Sequence, residues 1–197
     1  MSADVRFTEM ADALEMLAAI FRGEAQQRAL DLDSLLDQYA DMRHRLSHGI
    51  SAISMERLPD AAQTMQQALT RIEQRLWQLC DSKVPLKKLK ISGFTGVHSY
   101  LLEFLVLRVG KTVAGEQLRF LTADQTHTER RVRELREIGY DVLATRRAGR
   151  DSYILRDANQ AVDDGARSHL QHLLQKKSRS FDSIELNALQ SAAANLL

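Results

Sequence analysis

Residues 112–156, TVAGEQLRFLTADQTHTERRVRELREIGYDVLATRRAGRDSYILR, decide how the chain is read. Within them, Thr126-His127-Thr128-Glu129 has the spacing of a capping box, in which a Thr hydroxyl and a Glu carboxylate satisfy the orphan amides of a helix start. A helix is therefore predicted to begin there. Val132, Leu135 and Ile138 give it one apolar stripe, with Arg130, Arg133 and Glu137 on the opposite side. Gly139 ends it, because glycine enters the left-handed C-cap conformation without steric cost. Val142 and Ala144, then Tyr153 and Leu155, alternate with polar residues around the turn-forming cluster Ala148-Gly149-Arg150-Asp151, which predicts a two-stranded hairpin. Upstream, residues 97–109 and 114–122 read as two helices on which the arginine helix packs.

The order helix, turn, arginine-rich helix and two-stranded ribbon is the plan of a winged helix-turn-helix. In particular, ERRVRELREIGYDVLATRRAGRDSYILR, residues 129–156, resembles the winged helix domains of prophage DNA-binding proteins, and similar segments trail HNH-type restriction nucleases. The resemblance covers residues 96–156 only. It implies sequence-dependent binding of double-stranded DNA, with Gln125, Thr126, His127, Arg130 and Arg133 nearest the bases in the major groove. Arg146, Arg147 and Arg150 on the wing would take adjacent phosphates or the minor groove, and Lys111 and Thr112 at the preceding helix start would hold a backbone phosphate. The cluster Arg130, Arg131, Arg133 and Arg136 favours DNA, although Glu129, Glu134 and Glu137 dilute its charge. The alternative is a protein-binding adaptor whose arginines are a solvated face.

The whole chain has 197 residues, 44% apolar and 27% charged, with a net charge of +1 that hides an asymmetry. Residues 1–85 carry 9 basic and 13 acidic side chains, residues 86–157 carry 14 and 9, and the remainder 4 and 4. The basic excess thus sits where a nucleic-acid footprint would place it. Cys80 is the only cysteine, which excludes an intramolecular disulfide or a Cys-based zinc finger and fits a small buried residue in a reducing compartment. The longest apolar run, residues 100–109, is interrupted by Glu103 and Arg108, so no membrane span is expected. The N-terminus does not read as a signal peptide, and a cytoplasmic location follows.

In the N-terminal part, Phe7, Met10, Leu14, Leu17 and Phe21 mark an amphipathic helix ending near Gly23. Leu32, Leu35, Tyr39, Met42, Leu46, Gly49 and Ile53 keep a three-four spacing, and so do Ala62, Met65, Leu69, Ile72, Leu76 and Leu79. Two such stripes joined at Pro59-Asp60 predict an antiparallel helical hairpin. Met16, Ile20 and Trp77 leave apolar surface that a homodimer would cover. Lys87, Lys88 and Lys90 form a basic connector that either touches phosphates or is simply solvated.

One constellation here carries possible chemistry. Arg43-His44-Arg45-Leu46-Ser47-His48-Gly49 resembles the Arg-Asn-x-x-x-His-Gly box of HEPN ribonucleases. That resemblance implies Arg43 stabilising phosphate charge and His48 activating a ribose hydroxyl. The chain departs from it in carrying His44 after the arginine, in having few preceding helices, and in placing Arg43 and His48 about 140° apart on a continuous helix. The reading favoured is cationic side chains flanking a heptad seam. His44 and His48 lack a third metal ligand nearby. His98 reads as a cap or surface residue, and His169 and His172 as exposed.

Beyond residue 157, Leu170, Leu173 and Leu174 mark one helix, and Asp182 with Glu185 caps a second that presents Leu186, Leu189, Ala193 and Leu196 to a partner. The pair must dock on the central domain, the N-terminal hairpin or a second subunit. The expectation is a mainly α bacterial or phage-type protein: a helical dimerisation region over residues 1–85, a winged helix with a small β-hairpin wing over 86–157, and a C-terminal helical pair over 158–197. It is expected to bind double-stranded DNA as a non-enzymatic homodimer without cofactor or metal, as a transcriptional regulator or the DNA-reading part of a defence, replication or mobile-element system.

Overall fold

The computed structural model describes residues 32–123, 127–147, 149–176 and 180–196, with isolated positions between 8 and 23. Among them the chain is mainly helical with one small antiparallel sheet. In chain order the elements are α1 (Leu32–Glu56), α2 (Ala61–Leu79), α3 (Leu86–Leu89), α4 (Gly96–Val106), β1 (Val113–Ala114), α5 (Gly115–Leu121), α6 (Thr128–Glu137), β2 (Val142–Arg147), β3 (Arg150–Leu155), α7 (Val162–Lys176) and α8 (Ser183–Ala194). No described helix is long and apolar enough to cross a membrane. The chain forms two compact units, Met1–Pro59 with Glu116–Thr128, and Asp60–Gly115 with Glu129–Leu197.

In the first unit, Met10 and Leu14 lie on helical turns, while Phe7, Met16, Leu17, Ile20 and Phe21 lie outside the described residues. A Cβ at Gly49 would meet Met10 Sδ at 2.5 Å, so the glycine lets that thioether lie directly against α1. The buried Ser51 hydroxyl donates to the Leu121 carbonyl at 2.8 Å and closes one of the orphan acceptors at the end of α5. Leu36 and Tyr39, one turn apart on α1, stay 55% and 48% exposed.

The second unit is organised by α2. Its buried face is Ala61, Met65, Ala68, Leu69, Ile72 and Leu76, spaced three or four apart. The stripe starts at Ala61 rather than Ala62, which is exposed. This face is spent mainly on α4 and α7, whose Leu101, Leu102, Leu105, Ala166, Leu170 and Leu173 are all fully or almost fully buried. The C-terminal helices therefore dock on α2 of the same chain, the choice that sequence left open. α8 begins as expected: Asp182 accepts from the Glu185 amide at 2.9 Å, and Glu185 accepts from the Asp182 amide at 3.0 Å. Leu189 and Leu196 are buried as expected, whereas Leu186 and Ala193 are only half-buried beside the buried Ala188 and Ala192, and Ile184 is 66% exposed. Cys80 is buried, and burial followed by the Asp81 charge pushes its thiol up to about 11, away from reactivity.

The expected hairpin is present, with Val142 opposite Leu155, Ala144 opposite Tyr153 and Arg147 opposite Arg150. A third strand joins it, since Val113 pairs with Tyr153 and gives the order β1-β3-β2. Two residues are too few for an alternation to reveal a strand. Ala144 is exposed, so Val142 alone from β2 is buried in the core.

The turn after α6 joins α2 and α7. The buried Gln160 amide donates to the Ala68 carbonyl at 3.2 Å and to the Ile138 carbonyl at 2.7 Å, and the Ala161 amide donates to the Gly139 carbonyl at 2.8 Å. Gly139 has φ +89°, and a Cβ there would collide with the Ala161 carbonyl. Gly149 also has positive φ, +76°, but faces open space. Gly139→Ala should therefore cost about 3 kcal/mol, strain and overpacking together, against about 1 kcal/mol for Gly149→Ala. Urea midpoints of the two variants measure this, and equal losses would remove the close-approach argument.

Candidate nucleic-acid interface

α6 forms because its apolar positions recur at helical spacing among strong helix formers. Val132 and Leu135 are 0% and Ile138 3% exposed, so the stripe read from sequence is the buried face. Arg130, Arg133, Arg136 and Glu137 are exposed. The helix starts at Thr128, whose hydroxyl lies 3.2 Å from that of Thr122. His127 precedes it, exposed, with φ +69°. Gln125 and Thr126, and with Thr126 the expected capping box, lie outside the described residues.

One carboxylate organises the base of this face. Glu134 accepts from Arg130 Nε at 2.9 Å and from Arg131 Nη1 at 3.4 Å, and it holds the His98 ring nitrogen Nε2 at 2.6 Å. The other ring nitrogen of His98 accepts from the Thr95 amide at 3.0 Å and caps α4. His98 is thus the expected cap, but it is wholly buried rather than at the surface. Arg133 and Arg136 make no polar contact with any described residue, so their guanidinium groups are available.

On the hairpin, Arg147 and Arg150 are cross-strand neighbours, both exposed and without an acidic partner among the described residues. Arg146 lies 3.6 Å from Asp151, an exposed pair that costs little to break. Lys111 and Thr112 are exposed, but they precede β1 and not a helix start: Val113 is drawn into the sheet, and α5 begins at Gly115.

Sequence reasoning missed a groove of about 490 Å³ along α6. One wall carries Arg130, Arg131 and Arg133, another the segment through Phe94, and a third His169 and His172 of α7. The two imidazoles stack at 6.1 Å with planes 10° apart. His172 is exposed as expected, whereas His169 is half-buried. The signal was the i, i+3 spacing of the histidines, but only the docking of α7 brings them beside the arginines.

In the first unit, α1 runs unbroken through Arg43 and His48, which puts them on different sides of the helix. His48 contacts the His44 ring edge-on at 4.2 Å, and Arg43 approaches Glu116 at 4.0 Å. Among the described residues no three His, Cys, Asp or Glu side chains group as metal ligands would.

Residues 98–157 match the KpnI N-terminal domain, a region of an HNH-type restriction enzyme. The match falls on the segment that resembles winged helices and supports the restriction-enzyme side of that resemblance. Over these residues the chain is similar to a restriction-enzyme domain, which points to a DNA-related system. No curated protein and no solved structure matches the chain.

Burial is the largest influence on His98 and lowers its pKa from 6.5, outweighing the attraction of Glu134. Glu134 is also lowered from 4.5: burial opposes this, but the hydrogen bonds from His98 and Arg130 and the nearby positive charges win. In both cases the unfolded chain binds protons more readily than the folded one, so stability is complete above pH 6.5 and falls on acidification, first through His98 and below 4.5 through Glu134. The urea midpoint should drop between pH 7 and pH 5.5, and His98→Gln should flatten that drop. An unchanged slope in the variant would contradict the assignment.

Proposed function

We propose that residues 96–156 form a winged helix that binds double-stranded DNA, with α6 in the major groove and the β2–β3 turn on the flanking backbone, as the non-enzymatic DNA-reading component of a restriction-type defence system. The observation that carries this is the match of residues 98–157 to the KpnI N-terminal domain, because it falls on the most basic part of the chain. The element order α4-β1-α5-α6-β2-β3 and the sheet order β1-β3-β2 agree with a winged helix. Arg133 and Arg136 on α6 and Arg147 and Arg150 on the hairpin, without an acidic partner among the described residues, supply guanidinium groups suited to bases and phosphates. Arg130 is held by Glu134, so Arg133 is the stronger candidate for base contact. The ribonuclease alternative gains no support from a helix that holds Arg43 and His48 on different sides.

Arg133→Ala should weaken binding to a preferred duplex by about 1 to 3 kcal/mol and flatten sequence preference, whereas Arg147→Ala should weaken all duplexes alike. Affinity should fall with salt at a slope of about 0.9 per phosphate neutralised. Gel shifts over genomic and random duplexes measure both, and undetectable binding at low salt would end the proposal.

The same reading includes self-association through the first unit, where Leu36 and Tyr39 offer adjacent apolar surface on α1. Two linked winged helices gain an effective concentration that one lacks. Light scattering at micromolar concentration should give twice the chain mass, and a monomer mass contradicts this.

A further inference from the structure

We propose that the groove between α6, α7 and the Phe94 segment is a binding site for a nucleoside phosphate, with the phosphate on Arg130 and Arg133, one turn apart on α6, and the base against His172 and Phe94. The inference stands on the groove itself and does not require the duplex-binding reading. Its volume, about 490 Å³, lies within the range of about 300 to 1,000 Å³ usual for small-ligand sites and exceeds what a bare oxyanion needs.

The lining combines a charged wall, in which three arginines outnumber Glu134 and Glu137, with an aromatic one. Arg130 and Arg133, one turn apart, share a face of α6, and Arg131 reaches the groove from its flank. Glu134 engages two of the three through a single bond each, Arg130 through Nε and Arg131 through Nη1. Further N–H donors on these two side chains, and those of Arg133, which has no polar partner among the described residues, remain for an oxyanion. Across the groove, the parallel imidazoles of His169 and His172 and the ring of Phe94 offer flat surface. The Phe94 ring is itself fixed, lying 4.9 Å from that of the buried His98. Guanidinium groups on one side and aromatic planes on the other are the two elements that hold a nucleotide, because every base has a π face and every phosphate accepts from a fork of N–H groups.

His172 decides the matter, since it lines the groove, is exposed, and belongs to none of the positions assigned to duplex contact. Calorimetric titration of the full chain with AMP, GMP and ATP, with inorganic phosphate, with adenosine, and with a short single-stranded oligonucleotide provides the test. A mononucleotide should saturate the protein below millimolar concentration, more tightly than phosphate or adenosine. His172→Ala and Arg133→Ala should each weaken this by about tenfold with an unchanged circular dichroism spectrum. An oligonucleotide that binds more tightly through the same residues identifies the source as a strand, and one that binds more weakly identifies it as a free nucleotide. Phosphate binding as well as the nucleotide, nucleotide affinity that survives His172→Ala, or no binding by any of these probes would each overturn the proposal. His172→Ala should leave duplex affinity intact, so failure here and failure of duplex binding are read separately.

Discussion

The close approach of the backbone at Gly139 to the segment before α7 is the constraint on which the rest of the second unit depends. A left-handed residue is needed there to end α6, and any Cβ on it would occupy the place of the Ala161 carbonyl. With that contact made, Gln160 ties the end of α6 to α2 through two backbone carbonyls. Gly165 repeats the device one turn into α7, where a Cβ would lie 2.8 Å from Ile72 Cδ1 and 3.0 Å from the Ile138 backbone. Two glycines thus allow α7 to seat on α2 beside the end of α6, and Ile72, Leu170 and Leu173 become fully buried as a result.

The electrostatics of the arginine face follow from this packing. Docking of α4 brings a buried imidazole to Glu134, and the carboxylate then restrains Arg130 and Arg131 from the same helix. The arginines are consequently not equivalent. Those at 130 and 131 are partly neutralised, while Arg133 and Arg136 have no acidic partner among the described residues. The same division separates the hairpin, where Arg146 has Asp151 nearby and Arg147 and Arg150 face each other. Like charges held opposite one another cost stability unless an anion lies between them.

Much of the fold was legible because its signals are local. The stripe Val132, Leu135, Ile138, the stop at Gly139, the hairpin around Gly149 and the cap at Asp182 are each set by residues within a turn of one another. What escaped the sequence is long-range. The apolar face of α2 serves α4 and α7, and nothing in its own spacing says which helices it meets. β1 is two residues long and exists only because β3 offers an edge, so Thr112 precedes a strand where a helix start was expected. The wall that His169 and His172 add to the arginine face depends wholly on tertiary docking. Burial of His98 escaped for the same reason, since a helix-cap histidine is exposed until a partner such as Glu134 and a covering ring such as Phe94 close over it.

Hydrogen exchange of the full chain, measured with and without a bound duplex, tests the central claim most directly because it reports every backbone segment at once. The account predicts slowed exchange in residues 128–137 and around the β2–β3 turn at residues 147–150, with α1 and α8 unchanged by the DNA. Slowed exchange confined to α1, with α6 and the hairpin exchanging as in the free protein, would contradict it.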